Sequence, residues 1–169
     1  IVAKDVNDLR NKLKEAMRGV PVAGVTITLW RDGQLPYDLH LDWKVVETAG
    51  KMKSVEIFLN FPIADMNRNV IWHQPDGVRA EDIERMNAYW GDDTWRKIAY
   101  TTKNDLFGYE EKEPNQVVAE AFRERLKNVA GFSHVSAPLP MRNSRNAIVY
   151  YLYFASQKPV AKKIVDYIF

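Results

Sequence analysis

The chain contains no cysteine. That excludes a disulfide scaffold, a zinc ribbon, an iron–sulfur site and a thiol nucleophile, and it fits a reducing, cytoplasmic setting. Long hydrophobic runs are missing too. The longest, residues 147–155, reads as a buried strand and falls well short of the roughly 18 residues that a membrane-crossing helix needs. Ile1-Val2-Ala3 is followed at once by charge, so no secretory leader is expected. Charge of one sign is scarce: 24 Lys+Arg stand against 22 Asp+Glu, a net +2. A histone-like or tail-like basic protein is excluded, but a local basic patch is not. There is no Gly-x-Ser-x-Gly elbow, no Gly-x-x-x-x-Gly-Lys loop and no His-Glu-x-x-His. Serine hydrolase chemistry, a P-loop nucleotide site and a zincin-type metal site are therefore not expected. His40, His73 and His134 are far apart, so no metal is expected.

What is present is a globular composition. Hydrophobic residues are 46% and charged residues 27% of 169, enough to bury the core of one α/β domain over 1–169. Periodicity predicts helices over 5–19, 42–49 (closed by Gly50), 63–73, 79–90, 93–101, 115–130 and 158–168. It predicts strands over 25–30, 55–61, 132–139 and 147–155. The 55–61 strand is nearly continuous in apolar residues, so cover on both faces is expected. The stripe of the 115–130 helix is Val117, Val118, Ala121, Phe122, Leu126 and Val129. Residues 102–114 are polar and carry Gly108 and Pro114. They read as a mobile loop, a lid over substrate or a plain insertion.

Strand, helix, strand predicts a parallel pair, and the last two strands, joined through Arg142-Asn143-Ser144-Arg145-Asn146, predict an antiparallel hairpin. That is the element order of the second half of a Rossmann-like methyltransferase sheet. The first residue is Ile, and the chain enters a helix pattern almost at once. It is accordingly expected to be the C-terminal portion of a larger domain, with the N-terminal strands missing.

Specific segments carry a resemblance. Tyr37-Asp38-Leu39-His40-Leu41-Asp42-Trp43, Glu56-Ile57-Phe58-Leu59-Asn60-Phe61-Pro62 with Met66-Asn67-Arg68, Trp90-Gly91-Asp92-Asp93 with Trp95, Pro138 to Asn143 and Tyr151 to Ser156 together resemble the three-Cys-motif partner (TcmP) family over residues 35–169. The resemblance implies a class I methyltransferase-like fold, S-adenosylmethionine as cofactor, a nucleic acid as substrate, and a three-Cys-motif protein as a possible partner. Asp5 and Asn7 resemble the turn after the family's third strand and would border the adenosine. The Gly-rich loop that would hold most of the cofactor has no counterpart in this chain.

The residues themselves offer candidates for the substrate side. Ligands bind outside strand ends in open α/β sheets, and Leu35-Pro36-Tyr37 and Asn60-Phe61-Pro62 sit at predicted strand ends. Tyr37, Asn60 and Pro62 are the catalytic candidates: an amide to hydrogen-bond an exocyclic amine, a proline wall and an aromatic to stack an extruded base. The same residues also serve as strand-ending punctuation. Asn67, Arg68, Arg142 and Arg145 are candidates for holding phosphate, since a guanidinium fork matches that geometry. The alternatives are an Arg68–Asp65 pair and ordinary turn chemistry around Arg142. Among the five tryptophans, Trp43 and Trp90 are candidate stacking surfaces, with core packing as the alternative. Two functions stay open: a methyltransferase-like enzyme, and a non-catalytic partner or scaffold protein that uses the same fold to bind protein or nucleic acid.

Overall fold

The computed structural model describes residues 6–16, 18, 23–26, 41–52, 55–73, 75–102 and 110–168. Their order is α1 (Val6–Ala16), β1 (Ala23–Thr26), α2 (Trp43–Lys51), β2 (Val55–Phe61), α3 (Ile63–Asn69), a 3₁₀ turn (Pro75–Gly77), α4 (Ala80–Trp90), α5 (Trp95–Ala99), β3 (Tyr100–Thr102), β4 (Glu110–Lys112), α6 (Asn115–Asn128), β5 (His134–Val135), β6 (Leu139–Arg142), β7 (Ile148–Ser156) and α7 (Pro159–Ile168). The architecture is mixed α/β.

The main sheet runs β1-β2-β7-β5, with β6 also on β7. β1 pairs parallel with β2, Val25 opposite Ile57, as expected from the helical connection between them. β7 pairs antiparallel with β2, Phe61 opposite Tyr151, and with β6, Pro140 opposite Tyr151. The final strand therefore sits between β2 and β6, and the C-terminal ends of those two strands share one edge of the sheet. Pro140 lacks an N–H and is tolerated because β6 is an outer strand.

Side-chain alternation on β2 sends Val55, Ile57, Leu59 and Phe61 into the core. Phe61 and Phe122 meet at 4.6 Å between ring centroids, and Tyr89, Trp90 and Tyr153 close around them. Burying such rings is the main stabilising term of the fold. The opposite face of β2 carries Glu56, Phe58 and Asn60, with Phe58 37% exposed against Phe154. The expected cover on both faces is thus corrected: Phe58 interrupts the polar half of an ordinary one-faced pattern and makes the run look continuous.

Other boundaries also move. Gly50 lies inside α2 rather than closing it. A Cβ there would stand 2.0 Å from the Ala130 carbonyl oxygen, so the glycine admits close approach of the α6 end. The predicted strand 132–139 divides into β5 and β6, because Ser136 Oγ accepts the Phe154 N–H at 2.9 Å and Pro138 has none to offer. Residues 100 and 101 leave the predicted helix and, with 102 of the predicted loop, pair with β4, so the polar loop begins and ends as a hairpin. Its flanks are anchored: the Glu113 N–H donates to the Ala99 carbonyl at 2.8 Å, and Thr101 bonds Glu113. Residues 27–30 of the predicted first strand and 103–109 of the predicted loop lie outside the described residues. On α6, Val118, Phe122 and Leu126 are buried as expected, whereas Val117 and Val129 are exposed.

Candidate functional site

The shared edge of β2 and β6 is where the sheet ends and loops begin. Asn60 is the penultimate residue of β2, and its side chain is exposed. Its backbone is not free to move. The buried Tyr89 hydroxyl donates to the Asn60 carbonyl at 2.5 Å, and burial holds that phenol protonated far above its ordinary range. The result is a rigidly mounted, solvent-facing amide. Pro62 follows, buried, at the N-cap of α3. Its ring is buried and offers no surface to a ligand.

On the β6 side, the hairpin turn is built by its asparagines. Asn143 Oδ1 accepts from the N–H groups of Arg145 and Ala147, each at 3.0 Å. Asn146 takes φ +62°, a conformation asparagine tolerates better than most residues. Arg142 Nη1 donates to the Asn146 carbonyl at 2.9 Å. Burial raises the Tyr151 hydroxyl above its usual range, and the Arg142 guanidinium opposes that shift, so this arginine stands close to the strand end. The Arg145 side chain is exposed and has no partner among the described residues. Turn chemistry thus accounts for Asn143, Asn146 and part of Arg142, and leaves Arg145 open.

Asn67 and Arg68 lie near the end of α3, roughly 8 Å of helix rise beyond Pro62. They do not converge with Asn60. Asn67 Nδ2 donates to Asn115 Oδ1 at 3.0 Å, and Lys112 Nζ donates to Asn67 Oδ1 at 2.7 Å. That network ties α3 to β4 and α6, and burial lowers the Lys112 ammonium below its ordinary range. Arg68 is exposed. The anticipated partner Asp65 is instead bound by Arg85 at 3.2 Å and Asn69 at 2.6 Å, so Arg68 makes no ion pair among the described residues. Its carbonyl accepts the Trp72 indole N–H at 2.6 Å.

Tyr37 and Asp5 lie outside the described residues. Asn7 is exposed in the first turn of α1. Among the described residues, that single exposed amide does not form a cradle for S-adenosylmethionine. No group of three or more His, Asp or Glu residues suited to a metal occurs among them, and no described helix is long and apolar enough to cross a membrane.

The tryptophans divide differently from the expectation. Trp43 and Trp90 are buried and cannot stack a ligand. Arg125 lies over both rings, 4.8 and 5.7 Å from their centroids. Its Nε donates to the Trp90 carbonyl at 2.5 Å and its Nη2 to Asp92 at 2.6 Å. Gly91 closes this clamp with φ +104°, and a Cβ there would be 2.4 Å from the Trp43 ring. Among the described tryptophans the exposed one is Trp72, 42% accessible. Sequence reasoning missed it because the predicted helix 63–73 ran through it; α3 ends at Asn69, and Trp72 lies between that end and the Pro75–Gly77 turn.

Comparison with protein-family models, curated proteins and solved structures gave no match.

Proposed function

We propose that this chain is a methyltransferase-like protein that handles nucleic acid, with its substrate side at the common edge of β2 and β6. The observation that carries the reading is Asn60, an exposed amide on a strand end whose backbone is locked by a buried tyrosine. Such a group is suited to exchange hydrogen bonds with the polar edge of a nucleobase. The order of the strands adds support, since the antiparallel last strand lies between β2 and β6, which run in the same direction. Arg142 and Arg145 at the same edge suit the phosphates of a bound strand. S-adenosylmethionine is the methyl donor this reading calls for. The chain's own residues would position the acceptor and exclude water, which is how orientation lowers a barrier.

A second reading, a non-catalytic partner that binds nucleic acid or a three-Cys-motif protein, is favoured by Asn67. Its amide is engaged inside the fold and is not presented to a substrate. Calorimetry with S-adenosylmethionine, paired with transfer of labelled methyl groups to DNA and RNA, separates the two. The enzymatic reading expects heat of binding and label transfer that falls about 100-fold in Asn60→Ala, as when a preorganised hydrogen-bonding group is removed. No heat and no thermal shift at millimolar cofactor would leave the partner reading.

A further inference from the structure

A second feature lies away from the β2–β6 edge. An open cleft of about 590 Å³ is lined by Arg96, Lys97, Tyr100 and Thr102, with Asp93 and Glu110. Tyr100 is 6% exposed, yet its hydroxyl has no hydrogen-bond partner. The Trp72 backbone amide is the polar group nearby that acts on it, holding its pKa down a little against burial. A buried hydroxyl left unpaired is unfavourable, so this group is a ready contact for a ligand atom. Burial raises it above the ordinary phenol range, against the opposing effect of the nearby Arg96, so it is a proton donor at neutral pH.

The surroundings identify the ligand's chemistry. Arg96 has only a long 3.9 Å pairing with the fully exposed Asp76, and Lys97 is exposed. Both cations are available to an anion. Asp76 belongs to the Pro75–Gly77 turn, and the Trp72 ring lies 3.7 Å from where a Cβ on Gly77 would stand. The exposed indole thus stands against the turn whose Asp76 faces Arg96 of the cleft. A tryptophan face beside arginines matches a stacked base next to a phosphate. The carboxylates of Asp93 and Glu110 can accept from base amino groups or sugar hydroxyls, a role a simple anion would not use.

We infer that this surface binds a nucleotide unit, with the base stacked on Trp72 and the phosphate held by Arg96, Lys97 and the Tyr100 hydroxyl. The same chemistry is supplied by a free nucleotide and by a single strand. The inference deepens the nucleic-acid reading by adding a contact away from Asn60, but it does not depend on methyl transfer.

The test is proton–nitrogen NMR of the full chain, following the Trp72 indole signal assigned with Trp72→Phe. The probes are inorganic phosphate, thymidine 5′-monophosphate, an eight-residue oligothymidylate and a duplex of the same length. The expected result is a shift of the Trp72 signal with the oligothymidylate, weaker or absent with the duplex. Affinity should fall about tenfold in Trp72→Ala and in Arg96→Met, and a few-fold in Tyr100→Phe. A response to the mononucleotide equal to that of the oligonucleotide would identify a free nucleotide as the source and still support the site. Circular dichroism checks that each variant is folded, and Arg96→Met, on the surface, remains informative if Trp72→Ala is not. A shift with phosphate alone and none with either nucleotide probe, or equal affinity in the folded variants, would overturn the inference. Methyl transfer with a silent Trp72 signal would overturn this site and leave the proposed function standing. Binding here without methyl transfer would do the reverse.

Discussion

Two places in this molecule set an arginine beside tryptophan, and they use it in opposite ways. In the clamp, Arg125 lies over Trp43 and Trp90, and its donors reach the Trp90 carbonyl and Asp92. At the surface, Trp72 stays 42% exposed, Arg68 has no ion pair among the described residues, and Arg96 has one pairing at 3.9 Å. The residue types are the same; the difference is how many of their bonding groups are engaged. A satisfied cluster holds α4 and α6 together. The unsatisfied one, with a buried tyrosine hydroxyl lacking a partner beside it, is the surface proposed to hold a nucleotide.

Substitution can sharpen that contrast. The largest effect is expected from Gly91→Ala. A side chain at φ +104° and 2.4 Å from the Trp43 ring adds backbone strain to overpacking, together about 3 kcal/mol. Urea unfolding should register this as a lower midpoint, and an unchanged midpoint would mean that the clamp is looser than described.

Arg125→Met comes next, at about 2 kcal/mol, from a lost charged hydrogen bond and a lost cation–π contact. It also carries a pH signature. Burial pushes Asp92 upward, but hydrogen bonds from Thr94 and Arg125 outweigh it and hold the carboxyl below its ordinary value. Asp92 therefore stabilises the fold above the ordinary carboxylate range, and that contribution disappears as pH falls through the depressed folded value. Stability measured against pH should lose part of its acid dependence in both Arg125→Met and Asp92→Asn.

Trp72→Ala should alter stability by less than about 1 kcal/mol while lowering single-strand affinity about tenfold, the magnitude of one stacked base. The smallest expected effect belongs to Arg145→Ala. Stability should stay within about 0.5 kcal/mol, and the slope of log affinity against log salt should become shallower by about 1, as for one lost phosphate contact. A large fall in melting temperature for either variant would contradict the division between clamp and open surface.

The elements were legible in the sequence because alternation and helical spacing report one-faced burial directly. Val55–Phe61, Asn115–Asn128 and the parallel pairing of β1 with β2 follow from those patterns. Single-residue roles were less legible. Gly50 resembles a helix cap in sequence and proves to be a contact with Ala130, because only the tertiary approach of α6 reveals the need for a missing Cβ. Trp90 and Trp72 are indistinguishable as letters; one is covered by Phe61 and Phe122, the other lies where the chain leaves α3. Asn67 was read as a ligand contact because nothing in the sequence announces Asn115 and Lys112, 48 and 45 residues away, as its partners. The strand-end position of Asn60 was legible because the residue beside Phe61-Pro62 had to lie where the strand stops.

The most direct test of the central claim, that the open polar surface handles nucleic acid, is the salt dependence of oligothymidylate binding to the full chain. Affinity should fall steeply with salt, with Arg68, Arg96 and Arg145 together contributing a log–log slope of about −2, on the order of 0.7 for each phosphate held. Replacing those three arginines with methionine should make the slope shallower by about 2. Absence of binding at low salt, or a slope that survives the triple replacement, would contradict it.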